Sequence, residues 1–342
     1  MADYGSRLAD KAIDQLTRKL REVYRKAAVD LQKGFADFQK RHAVKGKEMF
    51  DKLVNGEITQ AEYHRWMKNE VFTGKLWQKK VDSAVKMLDT ANIQSSKIIR
   101  KDKMLVFAEN YNYEAYKLEK KLGGAVNFTL YNERAVEKLI KKKPKMLPEW
   151  KIKERKDYAW NRQKVENSIT QGIIQGKPID KITDDLVENL CTANDNKMRL
   201  FARTAVTGAQ NAGRLAQMDD AEEMGIRVKK RWVATLDNRT RDTHAELDGQ
   251  EVDKDEPFTV RLDDGTEAEI MFPGDPSCRY PELVYNCRCT MEEVYEGIDR
   301  HSVRRAYYDE DDEEYEEGRR KSYLVEDMTY DEWKKWKEGR KK

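Results

Sequence analysis

Apolar residues recur every three or four positions through the first part of the chain, which is the spacing of an amphipathic helix. Between residues 8 and 54 this pattern predicts one such helix or a pair of them. The asparagine–glycine pair at 55–56 interrupts the pattern. The apolar positions that carry it are Leu16, Leu20, Val23, Tyr24 and Ala27.

A second helical stretch is predicted after this interruption. Thr59 is followed three positions later by Glu62, the spacing of a capping box in which each side chain satisfies a backbone N–H of the first turn. The periodic pattern then continues toward residue 121, where a glycine pair predicts its end. Bends are expected near Gly74 and Asn92.

The next hundred residues predict a connector followed by three helices. Residues 125–153 contain two prolines and a lysine-rich run, which is typical of a connector. Residues 155–175 have helical spacing, and the Gly-Lys-Pro that follows predicts the end of that helix. A short amphipathic helix is expected at 180–190, and a long alanine-rich helix at 194–224.

After residue 224 the apolar spacing changes from that of helices to that of strands. Residues 226–234 predict a strand, and residues 257–262 and 267–272 predict a β-hairpin with an Asp-Gly turn. The chain is therefore predicted to be an α+β protein. A long α-helical N-terminal region is followed by a small mixed α+β domain with short antiparallel strands.

These patterns divide the chain into four segments. In the last of them, Thr329 and Glu332 form another capping box, which begins a short helix carrying Trp333 and Trp336. In chain order we expect an N-terminal helical region (1–122), a linker and connecting helix (123–180), a small α+β domain (181–300) and a charged C-terminal tail with a short helix (301–342).

Composition adds that much of the surface is charged. Charged residues make up 38% of the chain and hydrophobic residues only 39%, which favours elongated helices over one compact globule. The 66 Lys and Arg nearly cancel the 63 Asp and Glu, so net charge alone does not predict nucleic-acid binding. The charge is uneven, with a lysine-rich run at 138–145 and an acidic run at 309–317. Such runs are solvated faces, flexible tails or interaction sites.

Several functional classes are disfavoured by what the sequence lacks. The first residues show no basic region followed by an apolar run, so no secretory leader is expected. No stretch approaches the ~18 apolar residues of a membrane span, and no Walker-type loop or dinucleotide fingerprint is present. Four cysteines in 342 residues favour a reducing compartment over a disulfide framework. We expect a soluble protein made in the cytoplasm.

The segment at residues 231–292 is rich in turn residues and holds three of the four cysteines. One imidazole and three thiolates match a structural zinc site in number and softness. The usual Cys-x2-Cys pair is absent, since a single residue separates two of the cysteines. The alternative is that these cysteines are small apolar core residues and that the histidine is hydrogen-bonded in a turn. The candidate zinc ligands are His244, Cys278, Cys287 and Cys289.

The same histidine is a candidate for catalysis, because it stands among carboxylates and guanidiniums, as in a metal-dependent hydrolase or a nucleic-acid-modifying enzyme. No serine or cysteine nucleophile lies in a recognisable turn, however. The string is equally typical of an ion-paired turn that caps a helix, with Asp242 or Thr243 as the cap. The charged residues around His244 are Asp237, Arg239, Arg241 and Asp248.

Two basic patches are candidates for contact with nucleic acid without sequence specificity. The run at 138–145 lacks the interleaved aromatic residues of single-strand binding, which favours a solvated helix face. In the C-terminal patch, Trp333 and Trp336 flank the lysines, and we expect either an amphipathic turn that docks onto a partner or a disordered tail. Its basic residues are Lys334, Lys335, Lys337, Arg340, Lys341 and Lys342.

The segment between about 185 and 295 also carries an ordered string of motifs. In chain order they are Arg203-Thr204 with Ala209, Asn211 and Gly213 on a helix, then Trp232, Asp237-x-Arg239-Thr240-Arg241, His244, Leu247-Asp248-Gly249, Phe272-Pro273-Gly274-Asp275-Pro276 and Asn286-Cys287-Arg288-Cys289. This string resembles the phage Mu F-like head-morphogenesis family, also called minor head or minor capsid proteins. No single motif is specific, and it is their order that carries the resemblance. The segment at 181–300 is therefore identified as a Mu F-like domain.

The resemblance implies a non-enzymatic virion component of a tailed phage or prophage, made in the host cytoplasm and required for assembly of an infectious head. It implies partners among the portal protein and other capsid or scaffold proteins, and non-specific contact with phage DNA during packaging. No membrane and no small-molecule substrate are expected. His244, Arg241, Asp237 and the two cysteines of Asn-Cys-Arg-Cys would fix the loops of the small domain, with or without zinc. The alternative function is the metal-dependent hydrolase described above.

Overall fold

The computed structural model describes residues 4–123, 126, 128–142, 154–297, 303–310, 312, 314–316 and 321–340. It confirms the predicted fold class, since 65% of the described residues are helical and a small region of short antiparallel strands follows the long helices. In the described part of the chain, no helix is both long enough and apolar enough to cross a membrane.

Long helices make up the first part of the structure. The predicted capping box is present, since the Thr59 hydroxyl accepts from the N–H of Glu62 at 3.2 Å and the Glu62 carboxylate accepts from the N–H of Thr59 at 2.8 Å. The helical segments are α1 (Tyr4–Val54), α2 (Gln60–Trp66), a π-helical turn (Met67–Val71), α3 (Lys75–Lys121), α4 (Glu133–Lys142), α5 (Glu154–Ile174) and α6 (Ile179–Glu223).

One expected interruption is wrong, because buried amides are satisfied by one another instead of ending a helix. The bend predicted near Asn92 falls inside the continuous helix α3 and stays a prediction, whereas the two helices expected between residues 180 and 224 are the single helix α6. The Asn194 amide donates to the Leu190 carbonyl and to Asn161 Oδ1, both at 2.9 Å, and accepts from Asn92 Nδ2 at 3.0 Å. This network satisfies the side-chain amides of three asparagines, a residue type whose presence in a sequence often indicates a helix end.

Among the described residues after α6, the strands form three small antiparallel sheets. The central strand of the first sheet is β1, which pairs on one side with β2 and on the other with β5. The predicted hairpin is confirmed as β3 with β4, and β6 pairs with β7. The strands are β1 (Val228–Val233), β2 (Glu251–Asp253), β3 (Phe258–Arg261), β4 (Glu267–Ile270), β5 (Thr290–Tyr295), β6 (Val303–Tyr307) and β7 (Ser322–Glu326).

Short helices connect these strands. The helix after β1 begins with Arg241 at its N-cap, and that side chain makes no capping hydrogen bond. The expectation that Asp242 or Thr243 caps this helix is therefore wrong, because Arg241 is extended (φ −67°, ψ 150°) and Asp242 already lies in the first turn. These helices are α7 (Asp242–Glu246), α8 (Pro281–Val284) and α9 (Tyr330–Arg340).

The segment after residue 300 contains more regular structure than predicted. The short helix expected there is present as α9, and its capping box forms, with the N–H of Thr329 donating to the Glu332 carboxylate at 2.7 Å. Trp333 is buried with Leu236 and Val325. A disordered tail does not describe this part of α9, because its tryptophan completes a local core, and docking of the helix onto a partner stays a prediction. The hairpin β6–β7 was not predicted.

The chain forms two compact units, and each is assembled from separate stretches of sequence. The sequence-based division into 1–122, 123–180, 181–300 and 301–342 follows different boundaries and stays a prediction. Unit 1 comprises residues 1–15, 99–149 and 200–342, and unit 2 comprises residues 16–98 and 150–199.

The core of the small β region lies inside unit 1. Trp232 from β1 is completely buried, and its ring meets the ring of Phe258 from β3 edge to face at 5.3 Å. Cys287 and Cys289 are buried against the same cluster. The remaining buried members of the cluster are Ala234, Leu247, Val260, Leu262, Ala268, Ile270, Leu283 and Val284.

Candidate functional site

The turn that carries the two neighbouring cysteines is shaped by Asn286. This residue has a φ of +56° and is, in the described part of the chain, the sole non-glycine with a positive φ. Asparagine tolerates this left-handed conformation better than most residues. Its N–H donates to the Thr204 hydroxyl at 3.3 Å, and its side-chain oxygen accepts from Arg203 at 3.4 Å. Helix α6 therefore holds the turn in the conformation that leads into the cysteines.

Successive side chains alternate in direction where the chain extends from this turn. Cys287 and Cys289 are buried with the core, whereas Arg288 between them reaches the carboxylate of Asp237. Both terminal nitrogens of Arg288 contact that carboxylate, one of them at 2.8 Å. This is the bidentate geometry that favours an arginine–carboxylate pair.

Asp237 is completely buried and is held by several donors. The N–H of Arg239 donates to its Oδ1 at 3.0 Å, and the Thr240 hydroxyl lies 3.3 Å from the same oxygen. Burial opposes ionisation, but the hydrogen bonds and charge of Arg288 outweigh it and hold the pKa of Asp237 below its usual value. The carboxylate is therefore a structural anion, committed to the arginine of the Cys-Arg-Cys turn.

Arg241 connects the start of α7 to the same turn. Its guanidinium donates to the carbonyl oxygens of Glu282 and Tyr285, both at 2.7 Å. Because α7 begins directly after Arg241, this contact places His244, one turn further on, above the cysteines. The string Asp-x-Arg-Thr-Arg-x-x-His therefore reaches the Cys-Arg-Cys turn at three points, through Asp237, Arg241 and His244.

His244, Cys287 and Cys289 form a buried cluster of three ligating atoms. The Nδ1 atom of His244 lies 3.3 Å from the Cys289 sulfur and 3.6 Å from the Cys287 sulfur. All three ligating atoms lie within 4.8 Å of one another. The His244 ring also packs edge to face against Trp232, with centroids 5.8 Å apart. The two sulfurs and the imidazole nitrogen are therefore close enough to share one metal ion.

The two thiols of this cluster titrate as a pair. Burial raises the pKa of Cys287, and the neighbouring Cys289 raises it further. Burial also opposes ionisation of Cys289, but its contacts with Cys287 and His244 lower the pKa of that thiol below its usual value. The contacts of this pair therefore favour the thiolate form at Cys289 over that at Cys287.

Cys278, the fourth expected zinc ligand, lies apart from this group. Its sulfur is 3.5 Å from the carbonyl oxygen of Glu269 and 3.9 Å from that of Tyr280. Burial raises the pKa of its thiol. The structure thus brings together three of the four expected residues and leaves Cys278 at the edge of the β3–β4 hairpin.

Asp248, of the Leu-Asp-Gly motif, is the second buried structural anion. Its carboxylate accepts from both terminal nitrogens of Arg304, at 2.6 and 2.9 Å. It also accepts from the N–H of Ala234 at 2.7 Å and from that of Tyr330 at 2.5 Å. Asp248 therefore joins the end of β1 to β6 and to the start of α9.

One face of α6 supports the whole site. The Thr207 hydroxyl donates to the carbonyl of Cys287 at 2.9 Å. The side chain of Asn211 donates to the Pro273 carbonyl at 2.9 Å and accepts from the N–H of Met291 at 3.0 Å. Two loops from the β region, the Phe-Pro-Gly-Asp-Pro loop and the Cys-Arg-Cys turn, are thus fixed to one helix.

Gly208 permits the close approach of this helix to the Phe-Pro-Gly-Asp-Pro loop. A Cβ atom on Gly208 would lie 2.5 Å from the carbonyl oxygen of Gly274. Gly274 itself has a φ of +78°, in the left-handed region that favours glycine. Next to it, Asp275 accepts from the N–H of Ser277 at 2.8 Å and closes the loop. The loop is therefore a structural contact surface.

Sequence reasoning assigned no role to Arg288, Thr207 or Arg304, although all three hold the site together. Arg288 stands between the cysteines and could have been recognised by the alternation of an extended chain. Thr207 lies three positions after Thr204 and four before Asn211, which places three polar residues on one face of an otherwise alanine-rich helix. That spacing was the available signal for a buried polar contact.

A cavity of about 260 Å³ reaches the cluster of cysteines and histidine. It is strongly basic, and none of the described residues that line it is acidic. A second cavity of about 440 Å³ shares Arg203, Arg239 and Arg288 with it, but also has acidic residues in its wall. The arginines of the smaller cavity are Arg203, Arg239, Arg241 and Arg288.

Comparison with known families confirms the resemblance on which this segment was identified. Residues 163–292 match the family model described as Phage Mu protein F like protein. The matched stretch begins in α5 and ends in β5, so it includes α6, the string Asp-x-Arg-Thr-Arg-x-x-His and the Cys-Arg-Cys turn. The chain therefore carries a domain of the Mu F-like family.

Three known proteins show how far the similarity extends. The minor head protein GP7 of Bacillus phage SPP1 is 25% identical over 328 residues, which cover 95% of this chain and 97% of GP7. An NAD(+)–arginine ADP-ribosyltransferase, EFV, of Enterococcus faecalis is 38% identical over 136 residues, or 40% of this chain. The uncharacterized protein YqbB of Bacillus subtilis is 30% identical over 135 residues, or 39% of this chain.

The last two similarities are partial. The matched region covers 26% of the transferase and 42% of YqbB, whereas the similarity to the phage minor head protein runs along nearly the whole of both chains. No solved structure matches the chain.

Proposed function

We propose that this protein is a minor head protein that acts in assembly of a tailed-phage head at or near the portal. The observation that carries the proposal is the similarity to the phage SPP1 minor head protein, which extends over 95% of the chain. The family match supports it as well, because it places a Mu F-like domain at residues 163–292. The protein is made in the host cytoplasm and becomes part of the virion, with the portal and other capsid or scaffold proteins as partners.

The chemistry of the motif residues supports a structural role. The carboxylates of Asp237 and Asp248 are each paired with an arginine and hold backbone N–H groups. Arg241 is bound to two backbone carbonyls. These groups fix loops of the Mu F-like domain, which leaves the outer surface of that domain for partners.

The proposal is tested in the phage that encodes the chain. Mass spectrometry of purified particles and proheads is expected to find the protein in few copies, and a deletion phage is expected to form particles with reduced infectivity. A pull-down with the phage portal protein tests the partner. Absence from both particles and proheads, or normal infectivity of the deletion phage, contradicts the proposal.

Within this role, we infer that contact with DNA is non-specific and runs through the lysines of α4. Lys138 and Lys141 are exposed on that helix, while Lys143 and Lys145 of the same run lie outside the described residues. The C-terminal helix is a weaker candidate, since its Lys337 is bound to Asp309 at 2.7 Å and to Asp312 at 2.9 Å.

The DNA contact is tested by its salt dependence. Affinity for duplex DNA is expected to fall steeply with salt concentration, because phosphate contacts release counterions. The double variant Lys138→Glu, Lys141→Glu is expected to weaken binding, whereas Lys334→Glu, Lys335→Glu on exposed positions of α9 serves as the charge-matched control. Equal loss in both variants, or binding that does not respond to salt, contradicts the assignment to α4.

We also propose that the protein catalyses no reaction in this role. The competing function is that of a metal-dependent hydrolase or transferase using His244, and the partial similarity to the ADP-ribosyltransferase makes NAD+ the substrate to test. The purified chain is expected neither to hydrolyse NAD+ nor to modify arginine above the buffer control. Turnover that disappears in His244→Ala while the variant stays folded contradicts the proposal.

A further inference from the structure

We propose that His244, Cys287 and Cys289 bind one zinc ion, with the fourth coordination position open to the arginine-lined cavity. This site differs from the four-ligand set that the sequence indicated, because Cys278 is not a member. It is independent of the role in head assembly, which rests on sequence similarity along the chain.

The distances between the ligating atoms fit a tetrahedral zinc ion. Zinc lies about 2.3 Å from a thiolate sulfur and about 2.0–2.1 Å from an imidazole nitrogen, so tetrahedral angles place one sulfur and one nitrogen about 3.6 Å apart. The Nδ1 atom of His244 lies 3.3 and 3.6 Å from the two sulfurs. The two nitrogen–sulfur distances therefore match two edges of a zinc tetrahedron, and the two sulfurs lie within 4.8 Å of each other.

The polar atoms of His244 are poorly satisfied by protein groups alone. Among the described residues, its Nε2 atom is buried without a hydrogen-bond partner, and its Nδ1 atom has only the two sulfurs as neighbours. A thiol is a weak hydrogen-bond donor and a weak acceptor, and a buried imidazole without good partners is costly. A metal ion bonded to Nδ1 and to both sulfurs gives Nδ1 a strong partner, and Nε2 then carries the ring proton.

The surrounding structure fixes the ligands before any ion binds. The hydrogen bonds of Arg241 set the distance between α7 and the turn, and the Thr207 hydroxyl holds the carbonyl of Cys287. The Asp237–Arg288 pair immobilises the residue between the two cysteines. Such supporting contacts orient metal ligands and raise the affinity of a site.

The cavity beside the cluster determines what completes the coordination. His244, Cys287 and Cys289 all line this space of about 260 Å³, together with the four arginines. Two thiolates balance the two positive charges of the zinc ion, and a neutral imidazole adds no charge. The positive potential in the cavity therefore comes from the arginines. An anion or a hydroxide is therefore the expected fourth ligand. A site with three protein ligands and one exchangeable ligand is the open type.

Metal content of the full-length protein tests the site. The wild-type chain, purified without chelators, is expected to contain about one zinc ion per molecule by elemental analysis. Cys287→Ser and Cys289→Ser are expected to lose the metal on dialysis. Cys278→Ser and Cys191→Ser are the matched controls, since each removes a thiol outside the cluster, and both are expected to keep the ion.

Cobalt titration of the metal-free wild-type chain keeps the test valid if the serine variants do not fold. Binding is expected to give the thiolate-to-cobalt absorption of a tetrahedral site, and added orthophosphate or azide is expected to change this spectrum because the fourth position is open. A wild-type chain that takes up neither zinc nor cobalt overturns the proposal. Loss of metal from Cys278→Ser, or a spectrum insensitive to added anions, overturns the open three-ligand site.

Discussion

The carboxylate of Asp237 is completely buried and contacts both terminal nitrogens of Arg288, the residue between the two neighbouring cysteines. The arginine side chain is only 17% exposed, so both charges of the pair are largely removed from water. Such a pair contributes little compared with an apolar replacement, but removal of one partner leaves the other charge uncompensated. The pair therefore makes the position of the Cys-Arg-Cys turn depend on a residue about fifty positions earlier in the chain.

We expect Asp237→Ala to lower the free energy of unfolding of unit 1 by about 3–5 kcal/mol, because the buried charge of Arg288 loses its partner. Asp242→Ala, five positions later on an exposed site of α7, is the control and is expected to change the free energy by less than about 0.5 kcal/mol. Urea denaturation followed by circular dichroism measures both. A similar small effect in the two variants contradicts the structural role of Asp237.

The contacts of Asp237 also show why the site could be predicted only in part. Residue types and order identified the family and the correct segment, and they brought His244, Cys287 and Cys289 into one set. Cys278 was included as the fourth zinc ligand because spacing along the sequence does not show in which direction a side chain points. Its sulfur instead meets backbone carbonyls of the neighbouring hairpin, at Glu269 and Tyr280.

Fold prediction failed where tertiary contacts outweigh local preference. The polar residues around Asn194 are typical of a helix end, yet α6 continues because Asn92 and Asn161 pair with its amide. The hairpin β6–β7 was missed because its strands are short and the acidic run separates them. Its pairing depends on a core completed by Trp333 and Leu236, which no local pattern shows.

The conformation of Asn286 gives a second prediction, based on two variants that differ in how well they tolerate a positive φ. Asn286→Gly and Asn286→Ala both lose the amide group that contacts Arg203. At a φ of +56° alanine is strained whereas glycine is not. We expect the glycine variant to be more stable by about 1 kcal/mol. Thermal unfolding of the two variants measures the difference, and equal stability would show that the left-handed turn is not maintained in solution.

The close approach of α6 to the Phe-Pro-Gly-Asp-Pro loop gives a third prediction. In Gly208→Ala the new methyl group meets the Gly274 carbonyl at 2.5 Å, and the backbone must shift to relieve the contact. We expect the free energy of unfolding to fall by about 1–3 kcal/mol, as for other overpacked positions. Hydrogen exchange of the loop is expected to increase in the same variant.

Gly34→Ala is the matched control for this substitution. Gly34 lies inside α1, and a Cβ atom there has no neighbouring atom within 4 Å. Alanine is the better helix former, so this variant is expected to be more stable by about 0.5–1 kcal/mol. Opposite signs for the two glycine substitutions support the contact, and stabilisation by Gly208→Ala would rule it out.

A buried carboxyl group in unit 1 gives a prediction about pH. Burial and, to a smaller extent, the nearby Glu114 together raise the pKa of Glu293 to about 8, against the opposing charges of Lys117 and Arg214. Lys117 lies 3.7 Å from the Glu293 carboxylate and also contacts that of Glu114. The hydroxyl of Tyr295, on the same strand, donates to Gln217 at 2.7 Å. Two acidic and two basic groups thus share one buried environment.

Because the pKa of Glu293 is higher in the folded protein than in the unfolded chain, protonation stabilises the fold. This contribution is fully present below the ordinary glutamate pKa and is lost as the pH rises through about 8. The free energy of unfolding of the wild type should therefore decrease between about pH 5 and pH 9.

Glu293→Gln keeps the shape of the side chain and cannot ionise, so its stability should change less over this range and exceed that of the wild type at pH 9. Glu296→Gln, on an exposed position, should retain the wild-type dependence. A wild-type profile that is flat, or that rises with pH to the same extent in all three proteins, contradicts a protonated Glu293 at neutral pH.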